Sequence, residues 1–144
     1  MENELERPMT FFRFEDLRIY HKSLDYVNWV YIVSKSAHTD PIIKSYFDRF
    51  LASAYSITIN IAEGSSRNKS QFVYYLKMAK SSVRECVVIS TIGLSRSFIS
   101  KEAFDDSKQQ LMEMTKMIGA LIGSLQRNIK PGEHTGDDDE DDMT

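Results

Sequence analysis

With one cysteine, three prolines, six glycines and one tryptophan in 144 residues, the chain lacks the raw material of several common architectures. Cys86 stands alone, so no disulfide can close within the chain and no cysteine-based zinc site can assemble in it. His21, His38 and His134 fall in separate segments, no two of them at i, i+4 spacing, and no carboxylate pair completes a ligand set. The Glu-x-x-His pairs that di-iron bundles place on facing helices are also missing, so no metal or other cofactor is expected. The glycines are too scattered to build a phosphate-cradling loop. Their scarcity, with that of proline, argues for a few long helices rather than many short strands. No apolar run approaches the roughly 18 residues of a membrane span. The opening Met-Glu-Asn-Glu-Leu-Glu-Arg-Pro has no basic region followed by an apolar one, so a signal peptide is not expected, and a cytoplasmic location is the simplest expectation.

What is present is enough apolar side chain to fold. Hydrophobic residues make up 42% of the chain and aromatic residues 11%, which places it among globular sequences with one core. The formal net charge of −3 hides an asymmetry. Residues 131–144 carry seven acids (Glu133, Asp137, Asp138, Asp139, Glu140, Asp141, Asp142) and no lysine or arginine. Setting those 7 aside from 21 acids leaves 14 against 18 bases, a balance of +4 for the rest. A block of like charge is expected to be a disordered tail. The mildly basic remainder is compatible with a polyanion partner, although it falls short of the bias of a dedicated nucleic-acid binder.

The periodicity is helical throughout. Residues 1–13 read as a flexible lead-in, with Phe11 and Phe12 available to dock on the body. Leu17, Tyr20, Leu24, Val27 and Tyr31 recur at 3, 4, 3 and 4 residues, which predicts a first helix over about 15–35, widened by Ile19, Val30 and Val33, with Trp29 off the stripe and facing outward. After a connection at 36–39, Asp40 suits an N-cap and Pro41 the first helical position. Ile43, Phe47, Phe50, Ala54, Ile57 and Ile61 then form the cleanest stripe of the chain. Gly64 is expected to end that helix in the left-handed region. Asn68, with Gln71 in capping-box spacing, opens a third helix carrying Phe72, Leu76, Ala79, Val83 and Cys86, extended by Val87, Ile89, Ile92 and Leu94. Ser100 caps a fourth, which buries Phe104, Leu111, Met114, Ile118, Leu121 and Leu125, and Pro131-Gly132 forbids more helix. Four such helices with short connections must run antiparallel to their neighbours: an all-α, up-down-up-down four-helix bundle, a single domain over 14–130.

Two constellations stand apart from the core pattern. The first is a basic line, Lys77, Lys80 and Arg84, extended by Arg67 and Lys69 in the preceding turn. Its functional reading is a phosphate-contacting strip, with Tyr74 and Tyr75 placed to stack on bases. Its alternative is a solvated face, or long stems covering a subunit contact. The second is Asn60, Glu63, Gly64 and Arg67. Read structurally, it satisfies backbone groups at a helix end, with a Glu63–Arg67 ion pair and Glu85 as a further partner; read functionally, it is a surface recognised by another molecule. Cys86 lies on the apolar stripe, where a thiol behaves as a small hydrophobe.

The run Ser56-Ile57-x-x-Asn60-Ile61-Ala62-Glu63-Gly64-x-x-Arg67, followed by Phe72, Leu76, Ala79, Ser82 and Glu85, resembles the 23S ribosomal RNA intervening-sequence protein family of bacterial four-helix bundles. Phe14-Glu15-Asp16-Leu17-Arg18-Ile19-Tyr20 is similar to the opening of that family's first helix, so the resemblance covers about 14–127. It implies a four-helix bundle that assembles as a ring-like homopentamer and has no catalytic activity. The accessory variability determinant of diversity-generating retroelements is similar, which implies RNA or DNA, and a reverse transcriptase or other protein, as partners. The chain departs from the family at Leu51-Ala52, where an Arg-Arg pair is frequent, and at Thr58, where proline follows Ser-Ile; Arg49 is the only basic residue nearby. The function expected is a non-enzymatic, self-associating accessory or scaffold in an RNA- or DNA-associated setting. The alternative is a protein–protein adaptor with no nucleic-acid role, and either is expected to leave membranes alone.

Overall fold

A computed structural model describes residues 11–36 and 39–129. The acidic segment, most of the lead-in, His38 and His134 lie outside the described residues. A short 3₁₀ turn, Arg13–Asp16, leads into four helices: α1 Arg18–Ser34, α2 Pro41–Ser65, α3 Lys69–Ser95 and α4 Lys101–Arg127. At 1.5 Å per residue they are about 26, 38, 40 and 40 Å long. α1 packs on α2, α2 on α3, α3 on α4, and α4 closes back on α1; the α1–α3 and α2–α4 pairs are diagonal, with no close backbone approach. Among the described residues this is the antiparallel four-helix bundle that periodicity and connection length predict.

The helix starts follow local chemistry. The Asp40 carboxylate accepts the Ile42 N–H at 2.9 Å and the Ile43 N–H at 3.5 Å, with Pro41 following where its missing N–H is harmless. The Asn68 side chain accepts the Gln71 N–H at 2.9 Å, and Ser100 Oγ accepts the Ala103 N–H at 3.0 Å. Each such cap contributes about 1 kcal/mol. α1 lacks a side-chain cap; the 3₁₀ turn ahead of it instead bonds Leu17 N–H to the Phe14 carbonyl at 3.0 Å.

The end of α3 uses a residue the sequence did not flag. Ser97 takes φ +63°, and two bonds close around it: Ser97 N–H to Leu94 O at 3.1 Å and Phe98 N–H to Gly93 O at 2.8 Å. This is a Schellman closure with serine where glycine is usual. Phe98 then packs on Tyr46 with ring centroids 5.1 Å apart.

The core stripes of α2 and α3 are those that the spacing predicts. Phe47, Phe50, Ala54, Ile57 and Ile61 are buried, with Ile43 partly so, and Phe72, Leu76, Ala79, Val83 and Cys86 face them. α1 differs. Its buried positions are Ile19, Ser23, Tyr26 and Val30, one register away from the Leu17–Tyr31 stripe. Tyr31 is exposed, and Trp29 is half-buried, its ring stacked on Tyr26 at 5.6 Å and edge-on to Phe50 at 6.5 Å. The buried register includes two polar groups that a count of apolar residues passes over, and both are satisfied. Ser23 Oγ donates to Tyr20 O at 2.7 Å and accepts from Thr58 Oγ1 at 2.9 Å. The Tyr26 hydroxyl meets Ser107 Oγ at 2.7 Å, which in turn lies 2.6 Å from Ser90 Oγ, in a wholly buried chain. Burial of its hydroxyl holds the Tyr26 pKa well above the usual phenol range. In α4 the buried face is Ser107, Leu111, Met114, Ile118 and Ile122, with Phe104, Leu121 and Leu125 only partly covered. Ile92, expected in the core, is 45% exposed.

Candidate functional site

The signature stretch 56–67 forms the last three turns of α2 and the connection to α3. Gly64 is not left-handed; the helix continues through Ser65, and the cap residue Ser66 has φ −91°. Glycine is required here by proximity instead. A Cβ on Gly64 would lie 2.6 Å from Tyr75 Cβ and 2.9 Å from Phe72 Cδ1, so the backbone of α2 rests directly on the first turns of α3. The turn itself closes through Arg67 N–H to Gly64 O at 3.0 Å.

Asn60 does not take part in that turn. Its amide donates back to Ser56 O at 2.9 Å and Ser56 Oγ at 3.2 Å, and Ser56 Oγ lies 2.8 Å from Ser82 Oγ on α3. Glu85 is likewise not a partner of Glu63 and Arg67. It accepts from Ser53 Oγ at 3.0 Å and sits 3.9 Å from Arg49. Arg49, Ser53, Ser56 and Asn60 repeat at 4, 3 and 4 residues along α2 and form, with Ser82 and Glu85, a polar seam beside the core. The small side chains of Ser53 and Ser82, both buried, let the two helices approach closely. Apolar periodicity passes over this seam; the recurrence of serine at core-flanking positions is the signal that finds it.

The five basic candidates do not form one patch. Arg67 turns toward α2: its guanidinium lies 2.5 Å from Glu63 and 5.1 Å above the Tyr75 ring, and these groups raise its already high pKa. Lys69 turns the other way, toward α4, where Nζ donates to Asn128 O at 3.4 Å. Lys80 is eleven residues on, three full turns, so it shares the Lys69 face, with Lys77 and Arg84 one step to the side. Lys80 and Arg84 pair with no carboxylate among the described residues. Lys69, Lys77, Lys80 and Arg84 therefore line the α4 flank of α3 without Arg67. Tyr74 lies about 120° around α3 from Lys80, and Tyr75 is covered by Arg67, so neither ring stands over this flank.

A second surface emerges on α3 that the sequence reading did not separate. Tyr74, Met78, Ser81, Glu85, Val88 and Ile92 recur at 4, 3, 4, 3 and 4 residues, and all are exposed. On α2, Ile42 is exposed as well, while the exposed Ile59 lines a separate pocket with Phe11, Phe12 and Phe14. Between the helices lies a groove of about 460 Å³ lined by Ser45, Tyr46, Arg49, Glu85, Val88, Ile89 and Ile92. Gly93 sets its depth, since a Cβ there would overlap the Tyr46 hydroxyl, which donates to Ile89 O at 2.6 Å.

Among the described residues no three His, Cys, Asp or Glu side chains come together as a metal site. Cys86 is fully buried, and burial pushes its thiol up to about 12. No described helix is long and apolar enough to cross a membrane.

The paired helices, the glycine contact and the 56–67 stretch fall within residues 15–120, which match the family model for the 23S rRNA-intervening sequence protein. The chain belongs to the 23S rRNA-intervening sequence protein family. That match takes in α1, α2, α3 and most of α4. No curated protein matches the chain. The family's setting is RNA-related by its description. Within it, the Asn60–Gly64 run serves helix packing: Asn60 holds the α2–α3 seam and Gly64 the closest approach.

Proposed function

We propose that this family member is a non-enzymatic accessory or scaffold that self-associates through the outer face of α2 and α3 and contacts nucleic acid through the α4 flank of α3. The observation that carries the reading is the exposed stripe of Tyr74, Met78, Val88 and Ile92. A helix with one buried apolar face and a second, regularly spaced apolar face in water is short of a partner, and contiguous apolar surface marks an interaction site. The groove beside the stripe, with Arg49 and Glu85 at its centre, supplies polar groups that can fix register in such a contact. The resemblance to ring-like homopentamers gives the expected assembly, and the RNA-related family gives the setting. A reverse transcriptase or another protein would then be recruited by the assembled ring rather than by a single bundle.

Light scattering tests the first half. The expected mass is five times 16.6 kDa, and Met78→Glu with Ile92→Glu is expected to give folded monomers. A wild-type monomer at high concentration overturns self-association and leaves the same face to a different protein, the adaptor reading. Salt-dependent RNA binding tests the second half: Lys80→Gln with Arg84→Gln should weaken binding on every sequence and lower the salt slope by roughly 1 per lost phosphate contact. RNA affinity unchanged by that double variant sinks the assignment of the strip.

A further inference from the structure

We propose that the acidic segment 133–142 docks on the basic α4 flank of α3 in its own chain and competes there with nucleic acid; the competition rests on the nucleic-acid reading above, whereas the docking does not.

The geometry and the charges carry this. The strip begins where the described chain ends: Lys69 Nζ reaches Asn128 O at 3.4 Å, so Ile129, the last described residue, lies beside the first basic residue. From Lys69 the flank continues to Lys80 and Arg84, about 16 and 22 Å along the helix axis. Asp137 lies 8 residues and Asp142 13 residues beyond Ile129. Fully extended, those lengths reach at most about 29 and 47 Å, and as flexible coil they average about 16 and 20 Å. The average reach thus matches the span of the strip. A tether of matched length holds its end near the target at millimolar effective concentration.

The charges are complementary and segregated. Residues 131–144 hold seven acids and no lysine or arginine, while the rest of the chain is at +4. The first turn of α3 contains Lys69 and no acid, so nothing at that helix N-terminus opposes an incoming carboxylate. Four other cations are paired elsewhere: Lys22 to Glu113, Lys44 to Asp48, Lys101 to Asp105 and Arg67 to Glu63. Single exposed ion pairs contribute little, but a run of six consecutive acids at 137–142 presents neighbouring charges wherever it settles, as a phosphate backbone does.

The test uses the full chain and an all-amide tail variant, with Glu→Gln and Asp→Asn at the seven acidic positions of 131–144. Lysine acetylation by an amine-reactive ester, read by mass spectrometry, reports docking without any nucleic acid. At low salt, Lys69 and Lys80 should acetylate about threefold faster in the variant, while Lys44 and Lys101 stay constant. Equal rates at Lys69 and Lys80 overturn the proposal, as does protection centred on Lys44 or Lys101. An oligouridylate binding titration then reads the competition. The variant should bind about tenfold tighter than wild type near 50 mM salt, and the gain should vanish in high salt or with Lys80→Gln and Arg84→Gln. If the lysines are protected but neither protein binds oligouridylate, the docking stands and the nucleic-acid reading fails. If both proteins bind equally, the nucleic-acid reading stands and competition by the tail is wrong.

Discussion

α3 carries two stripes with the same spacing and opposite fates. Phe72, Leu76, Ala79, Val83, Cys86 and Ser90 step by 4, 3, 4, 3 and 4 residues and are buried. Tyr74, Met78, Ser81, Glu85, Val88 and Ile92 step identically and are exposed. Helical period places each set on one line; it does not say which line a neighbouring helix will cover. The inner stripe has small residues, Ala79 and Cys86, between large ones, which lets facing side chains interdigitate at native density. The outer stripe has a charge at its middle, Glu85, and can be covered only by a surface that satisfies a carboxylate. That difference separates a fold-determining face from an interaction face on the same helix.

Truncating one residue from each stripe should separate the two faces most widely. Leu76→Ala should cost about 2–5 kcal/mol in urea unfolding, because the fully buried site loses its transfer energy and keeps a cavity. Ile92→Ala, at dilution where copies are separate, should stay within about 0.5 kcal/mol of wild type. A large loss from Ile92→Ala alone would make the outer stripe part of the monomer's core. Next comes the edge between the stripes. Gly93→Ala forces its methyl onto the Tyr46 ring, 2.7 Å from Cζ, and should cost about 1–3 kcal/mol. Gly119→Ala on α4, with open space around it, should stabilise by about 0.5–1 kcal/mol. Equal thermal midpoints for the two alanines would mean that Tyr46 swings away freely.

The smallest effect is a pH slope confined to the inner stripe. Cys86 has its thiol pKa raised by burial from the ordinary 9.0 to about 12. A raised folded-state pKa means that its contribution is whole below about pH 9 and is lost as pH climbs toward 12, since only the unfolded thiol ionises readily there. Stability should begin to fall as pH rises above about 9, because the unfolded chain then sheds a proton that the folded chain keeps. Cys86→Ala should flatten the dependence of the urea midpoint between about pH 9 and about pH 10. An unchanged slope would mean that the thiol is already wet in the native state.

Much of the bundle was legible in residue order. Asp40-Pro41, Asn68 and Ser100 announce helix starts through side-chain oxygens, and the chain uses each as written. The stripe of α2 was legible because no competing line of comparable apolarity runs along it, and that of α3 because its outer line is interrupted by Ser81 and Glu85. In α1 two registers compete, and the buried one wins with Ser23 and Tyr26, whose hydroxyls find Thr58 and Ser107 from distant segments. Hydrogen bonds across more than thirty residues of sequence leave no local trace. The candidate site divided the same way. The charges of the basic line were plain, yet Arg67 left it because Glu63 and Tyr75 drew it toward α2, while Asn128 drew Lys69 toward α4.

By itself the sequence determined the number of helices, where three of them start, the family and the segregation of acid into one segment, because these depend on neighbours in the chain. Only the tertiary structure decided that Gly64 serves contact rather than a left-handed cap, that Asn60 and Glu85 belong to the α2–α3 seam, and which stripe of α3 faces water. Those outcomes depend on which surfaces meet, and a helix presents every face equally until another helix covers one.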